Sequence, residues 1–148
     1  MSKEEFKEFV IKSIPITKSM GIEFKTLSTE RVIIKAPLSL NKNHLNTAFG
    51  GSLNAIATLG CWSFLQYNLE TVLERSRFHI VISKSQINYL SPINFDFEIE
   101  SHAEKKELEK FHYDLLTHKQ AKIEIIANIY HQDKKCLYYR GTFVATYL

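Results

Sequence analysis

The chain has 148 residues, of which 45% are apolar and 24% charged, a globular composition that excludes disordered and fibrous proteins. Its formal net charge is +3, and because basic and acidic residues are interspersed, the clustered basic surface of a nucleic-acid-binding protein is absent. The length predicts one domain that spans residues 1–148.

The beginning of the chain and the cysteine count bear on location. The first twelve residues are charged and predict a surface helix rather than an apolar signal peptide. Two cysteines, Cys61 and Cys136, disfavour a disulfide framework and form no C-x-x-C motif, so we expect a cytoplasmic protein. The six histidines lack metal-binding spacing, and we expect neither a metal nor a bound cofactor.

The first half of the chain predicts a helix, two strands and a long second helix. Ser2 and Glu5 have the spacing of a capping box, which opens the first helix, and Pro15 ends it. Hydrophobic periodicity and turn residues then predict strands over 22–27 and 32–36, a polar loop over 38–48 and a helix from about 51 to 68.

The second half predicts mostly strands. Within the strand at 78–89 the apolar residues change parity, which indicates a β-bulge near 83–86 or a strand buried on both faces. The remaining predicted elements are a strand at 95–100, a helix at 104–117 and a hairpin of strands 120–131 and 135–147.

The segment Leu45–Leu69 contains no Asp, Glu, Lys or Arg but is too polar to span a membrane, so we expect no membrane association. A charge-free helix outside a membrane is usually buried on every side. Because one sheet covers a helix on one side only, the segment predicts a homodimer, with a tetramer as the larger alternative.

The densest polar cluster, residues 41–52, lies at the start of this helix. Free backbone N–H groups and the positive end of the helix dipole favour an anion or a developing oxyanion there. Gly50 and Gly51 lack a Cβ, so a ligand carbonyl could approach the backbone closely. The alternative is a tight loop that only leads into a helix. Nucleotide-binding glycine motifs are absent.

Other candidate residues are weaker. His44 is the one histidine inside this loop. Cys61 has no predicted base beside it and is expected to pack as a small hydrophobic residue. Ser52 follows two glycines but lacks the G-x-S-x-G pattern, and we expect a residue of the first helical turn rather than a nucleophile.

The pattern Asn43-x-x-x-Thr47-x-Phe49-Gly50-Gly51, which opens a helix after two strands, resembles the hotdog-fold acyl-CoA thioesterases. Tyr89-Leu90-Ser91-Pro92 is similar to their Y-x-x-P motif. Closer still is the thioesterase family of the YiiD C-terminal type, which the following segments resemble: Ile14-Pro15-Ile16, Ala36-Pro37-Leu38, Asn41-x-Asn43, Thr47-x-Phe49-Gly50-Gly51-Ser52-Leu53 and Gly60-Cys61-Trp62.

The resemblance implies an α+β hotdog fold, with an antiparallel sheet of about six strands wrapped around a long central helix. It also implies hydrolysis of an acyl thioester, with coenzyme A or acyl-carrier protein as part of the substrate. Three positions depart from the hotdog pattern. Phe49 and Asn46 stand where His and Gly are usual, and Thr58 stands where the helix usually carries an acid. The His-and-acid pair of the dehydratase and hydratase branches is absent.

The hypothesis that follows assigns catalytic roles to Asn43, Gly51 and Thr58. Backbone N–H groups around Gly51 and Ser52 would form an oxyanion hole, while Asn43 and Thr58 would position water. We expect substrate contacts from Phe49, Gly50, Ser52, Ser85 and Gln86.

Two other functions remain open: a non-catalytic binder of acyl-CoA or another acyl-pantetheine, and a structural dimer with a vestigial pocket. For Thr58, the alternative to positioning water is a hydroxyl that bonds back to the Asn54 carbonyl.

Overall fold

The computed structural model describes residues 1–148 and contains four helices and six strands. The helices are α1 (Lys3–Ser13), α2 (Leu38–Asn41), α3 (Gly50–Glu70) and α4 (Lys105–His118). The strands are β1 (Glu23–Leu27), β2 (Val32–Ala36), β3 (Phe78–Tyr89), β4 (Phe97–His102), β5 (Gln120–His131) and β6 (Lys134–Tyr147). Short 3-10 turns cover Pro15–Met20 and Arg75–Arg77.

The strands form one antiparallel sheet in the order β1-β2-β4-β5-β6-β3, and α3 packs against β2 to β6. Gly60 permits a close approach of α3 to β4, because an added Cβ would lie 2.5 Å from the Ser101 hydroxyl. The predicted α+β architecture, a six-stranded sheet around a long central helix, is therefore confirmed.

Helix α3, which carries no charged residue before Glu70 at its C-terminal end, is covered unevenly. Its C-terminal half is largely buried, as the absence of charge predicts, whereas the first turns leave Gly51 exposed and Thr58 partly exposed. Burial on every side thus fails at the N-terminal end, because the sheet covers one side of the helix and a cavity adjoins another. None of the helices combines the length and apolar character that a membrane span requires.

Strand β3 lies at an edge of the sheet and pairs only with β6. The register shifts between Ile82 and Lys84, which places the predicted bulge at Ser83. Burial on both faces, the other explanation for the parity change, is wrong, since most of β3 is exposed.

Two local features differ from the prediction. The polar loop begins with the short helix α2, and the buried side chain of Asn41 donates hydrogen bonds to the carbonyls of Met20 and Pro37 at 2.9 and 2.8 Å. The β5–β6 turn has two residues rather than three, and both Gln132 and Asp133 adopt positive φ, as a tight hairpin requires.

Candidate active site

The loop before α3 is held together by Asn43. Its side-chain oxygen accepts hydrogen bonds from the backbone N–H groups of Leu45 and Thr47, and its amide nitrogen donates to the Thr47 hydroxyl at 2.9 Å. Asn43 lines neither of the two cavities that meet at the helix. The structure therefore does not bring it to Thr58, and its contacts fix the shape of the loop.

The first turn of α3 has an open N-terminus. Phe49 occupies the N-cap and supplies no side-chain acceptor, and the first turn contains no acidic residue. The backbone N–H groups of Gly50, Gly51 and Ser52 therefore lack the capping acceptor that most helices have. The Tyr89 hydroxyl donates to the Gly50 carbonyl at 3.1 Å, which fixes this turn against the end of β3.

Phe49 and Gly51 lie in direct contact at the helix start. The Phe49 ring is 55% exposed and covers the Gly51 Cα so closely that an added Cβ would lie 2.5 Å from it. A side chain at position 51 would have to displace this ring, whereas glycine leaves the backbone N–H groups accessible beside it.

An apolar cavity of about 510 Å³ runs along the exposed side of α3. Successive turns of the helix contribute Gly51, Asn54, Thr58 and Trp62, as helical spacing requires. The other walls are the 3-10 turn after α1 and residues 80–82 of β3. None of the lining residues is ionisable, so the cavity suits an uncharged, largely aliphatic group.

Thr58 lines this cavity about 10 Å along the helix from Gly51. Its hydroxyl lies 2.8 Å from the hydroxyl of Tyr139 on β6. Thr58 thus has a side-chain partner on the sheet instead of the back-bond to the Asn54 carbonyl that was the alternative.

A second cleft, of about 490 Å³, lies on the other side of the helix start. It is lined by the end of the loop at Thr47 and by the segment that follows β3, Tyr89–Ile93. Gly51 lines both this cleft and the apolar cavity. A ligand that occupied both would therefore pass directly over the open N-terminus of α3.

Ser85 and Gln86 lie on opposite faces of β3, as adjacent strand residues do. Ser85 pairs with Gly141 and shares the face of Tyr139, whereas the Gln86 side-chain oxygen accepts hydrogen bonds from Arg140 at 2.7 and 3.2 Å. Within one chain, Gln86 is directed away from α3 and joins neither cavity.

The remaining candidates lie in three different environments. Cys61 is fully buried, and burial raises the pKa of its thiol far above neutrality, so it stays protonated. Ser52 lies in the first turn of α3, and His44 is exposed in the loop and lines neither cavity.

Sequence reasoning missed several residues of this site, among them Trp62 and Tyr139. Trp62 lies eleven positions after Gly51 and four after Thr58, so helical periodicity could have placed it on the same stripe. Tyr139 carries no such signal, because only the long-range register of β6 brings it under α3.

Solved structures share this architecture over nearly the whole chain. A protein of unknown function from Chlorobaculum tepidum is 24% identical, with a TM-score of 0.86 over 99% of this chain and 94% of that one. A protein from Shewanella oneidensis described as a putative thioesterase is 24% identical, with a TM-score of 0.81 over 97% and 96%. A thioesterase from Haemophilus influenzae is 14% identical, with a TM-score of 0.75 over 100% of this chain and 92% of that one. The molecule is thus a hotdog-fold protein.

The sequence also matches the family model described as "Putative thioesterase (yiiD_Cterm)" over residues 3–147. The chain belongs to this family, as the motifs around Gly50 and Gly51 predicted. Among curated proteins, none matches the chain significantly.

Proposed function

We propose that the protein hydrolyses acyl thioesters of coenzyme A or of acyl-carrier protein. The observation that carries this proposal is the open N-terminus of α3 at the junction of an apolar cavity and a second cleft. Family membership supports the same reaction class.

In the proposed complex the acyl chain lies in the apolar cavity and the pantetheine arm in the second cleft. The thioester carbonyl then lies over Gly51, where backbone N–H groups and the helix dipole stabilise the oxyanion. A water molecule held by Thr58 attacks the carbonyl carbon, the C–S bond breaks, and the thiolate leaves. One water proton goes to the departing sulfur, so the products are a carboxylic acid and a free thiol.

A steady-state assay with a panel of straight-chain acyl-CoAs tests this function. We expect thiol release with a preference for aliphatic chains that fill the apolar cavity. Folded protein that releases no thiol from any chain length, and from no acyl-carrier-protein substrate, would contradict the proposal.

A second candidate function is non-catalytic binding of an acyl-CoA or another acyl-pantetheine. It is favoured by one observation: the residues that line the apolar cavity include no carboxylate and no histidine, so no general base adjoins Thr58. Calorimetric binding of acyl-CoA that is recovered intact after prolonged incubation would favour binding over hydrolysis.

We further propose that the working unit is a homodimer formed along β3, with two equivalent sites at the interface. The outer edge of β3 is unpaired, and unpaired edges readily accept another strand. Its residues Val81 and Ile82 are 62% and 41% exposed, and Ile16, which lines the same cavity, is also exposed. Together they form an apolar rim beside the cavity that a second copy would cover.

A charge on this rim is expected to disrupt the dimer. Val81→Lys would bury an unpaired ammonium group in an apolar interface, so light scattering at micromolar concentration should show a shift from dimer to monomer. Leu116→Lys is the control, because Leu116 is 49% exposed on α4, away from β3, and should leave the dimer intact. A monomeric parent, or a Val81→Lys protein as dimeric as the parent, would refute the β3 interface.

A further inference from the structure

Tyr139 places a polar group beneath the apolar cavity. Its side chain is fully buried on the face of β6 that packs against α3, and its hydroxyl lies 2.8 Å from that of Thr58. A phenylalanine would fill the same volume, and a buried hydroxyl is costly unless it is hydrogen-bonded. The chain therefore keeps a polar partner at the one position where it reaches Thr58.

The surroundings leave space for this hydroxyl. Gly141 lies two residues along β6, and an added Cβ there would lie 3.0 Å from the Tyr139 oxygen. Ser85 of β3 pairs with Gly141 and lies on the same face of the sheet as Tyr139. The hydroxyl groups of Thr58 on α3 and Tyr139 on β6 thus meet under a cavity that otherwise offers few polar groups.

Tyr139 works here as a neutral phenol. Burial raises the pKa of its hydroxyl, and the hydrogen bond with Thr58 offsets only part of that rise. At neutral pH the group is therefore not a base. Its oxygen can, however, accept the single hydrogen of the Thr58 hydroxyl.

The direction of the Thr58 hydrogen decides what this residue offers to the cavity. When Tyr139 accepts that hydrogen, the lone pairs of Thr58 are free to accept a hydrogen bond from water, and the water oxygen keeps its lone pairs for attack. Without Tyr139, the Thr58 hydroxyl can turn to the Asn54 carbonyl one turn earlier or donate to the water itself. Either change removes the orientation of the Thr58 hydroxyl that aligns the attacking water.

We propose that Tyr139 is a positioning residue for thioester hydrolysis, which holds the Thr58 hydroxyl in the orientation that aligns the attacking water. This inference rests on the proposed hydrolase function. Tyr139 touches no substrate in it and acts only through Thr58.

The test replaces Tyr139 by phenylalanine and follows acyl-CoA hydrolysis. Tyr139→Phe should lower kcat about tenfold and leave KM within about twofold, because a hydrogen bond is lost and the cavity is unchanged. In a Thr58→Val background the same change should have no further effect, since the two residues act as one unit. Tyr138→Phe is the matched control, because Tyr138 lies on the opposite face of β6 and should keep the parental kcat.

The outcomes distinguish a failure of the Tyr139 positioning role from a failure of the proposed hydrolase function. A parent that does not hydrolyse any acyl thioester overturns both. An active parent whose Tyr139→Phe variant keeps its kcat, or loses the same factor in the Thr58→Val background, overturns the positioning role alone. Thermal melting completes the test, since a Tyr139→Phe protein that fails to fold would make the hydroxyl structural and would also overturn the proposal.

Discussion

Replacing Thr58 by valine is expected to lower kcat by about ten- to a thousandfold with little change in substrate binding. Valine has nearly the same shape and keeps the apolar wall of the cavity, but it removes the hydroxyl that pairs with Tyr139 at 2.8 Å. The attacking water then loses its hydrogen-bond partner, the Thr58 hydroxyl, which lies about 10 Å along the helix from Gly51. Steady-state kinetics with the best acyl-CoA substrate measure the effect.

Thr58→Ser is the control for this substitution, because it keeps the hydroxyl within reach of Tyr139 and removes only a methyl group. We expect Thr58→Ser to retain most of the parental kcat. If Thr58→Val hydrolyses the substrate as fast as the parent, Thr58 is a packing residue and another group must position the water.

Replacing Trp62 by alanine is expected to shift the preferred substrate toward longer acyl chains. Trp62 is the last residue of α3 to line the apolar cavity, one turn beyond Thr58, and its indole stacks on Phe9 with ring centroids 6.1 Å apart. Arg75 covers the same Phe9 ring at 3.6 Å and is itself paired with Glu70. The end of the cavity is therefore held by a supported aromatic wall.

The expected change in preferred chain length follows from the space that opens when the Trp62 indole is removed. An opening of about one helical turn is roughly 5 Å deep. At about 1.25 Å of advance per C–C bond, it accommodates about four more methylenes. Each buried methylene contributes about 0.8 kcal/mol, so kcat/KM for longer chains should rise about fourfold per carbon over that range.

Tyr67→Ala controls for the general effect of losing an aromatic residue from α3. Tyr67 packs against Phe6 and does not line the cavity, so this variant should keep the parental chain-length profile. An unchanged profile in folded Trp62→Ala protein would show that the acyl chain does not extend to this wall.

Local sequence signals were sufficient for most elements of the fold. The capping box at the start of α1 forms as predicted: the Ser2 hydroxyl accepts from the Glu5 backbone and the Glu5 carboxylate accepts from the Ser2 backbone. The parity change in β3 indicated a bulge near 83–86, and the register shifts between Ile82 and Lys84, at the start of that range. Such signals succeed because caps, bulges and helical stripes depend on residues a few positions apart.

The features of the candidate site also fall into two groups, those set by local sequence patterns and those set by long-range contacts. The sequence by itself determined the family, the glycine-rich helix start and the long helix α3 with its charge-free segment up to Leu69, because each lies in a short continuous pattern. Only the tertiary structure decided that Asn43 is engaged within its loop, that Gln86 is directed away from α3, and that Tyr139 reaches Thr58. Those contacts depend on strand register and on the packing of α3 across the sheet, which join residues far apart in the chain. Thr58 and Tyr139 are 81 positions apart, and no local pattern links their hydroxyl groups.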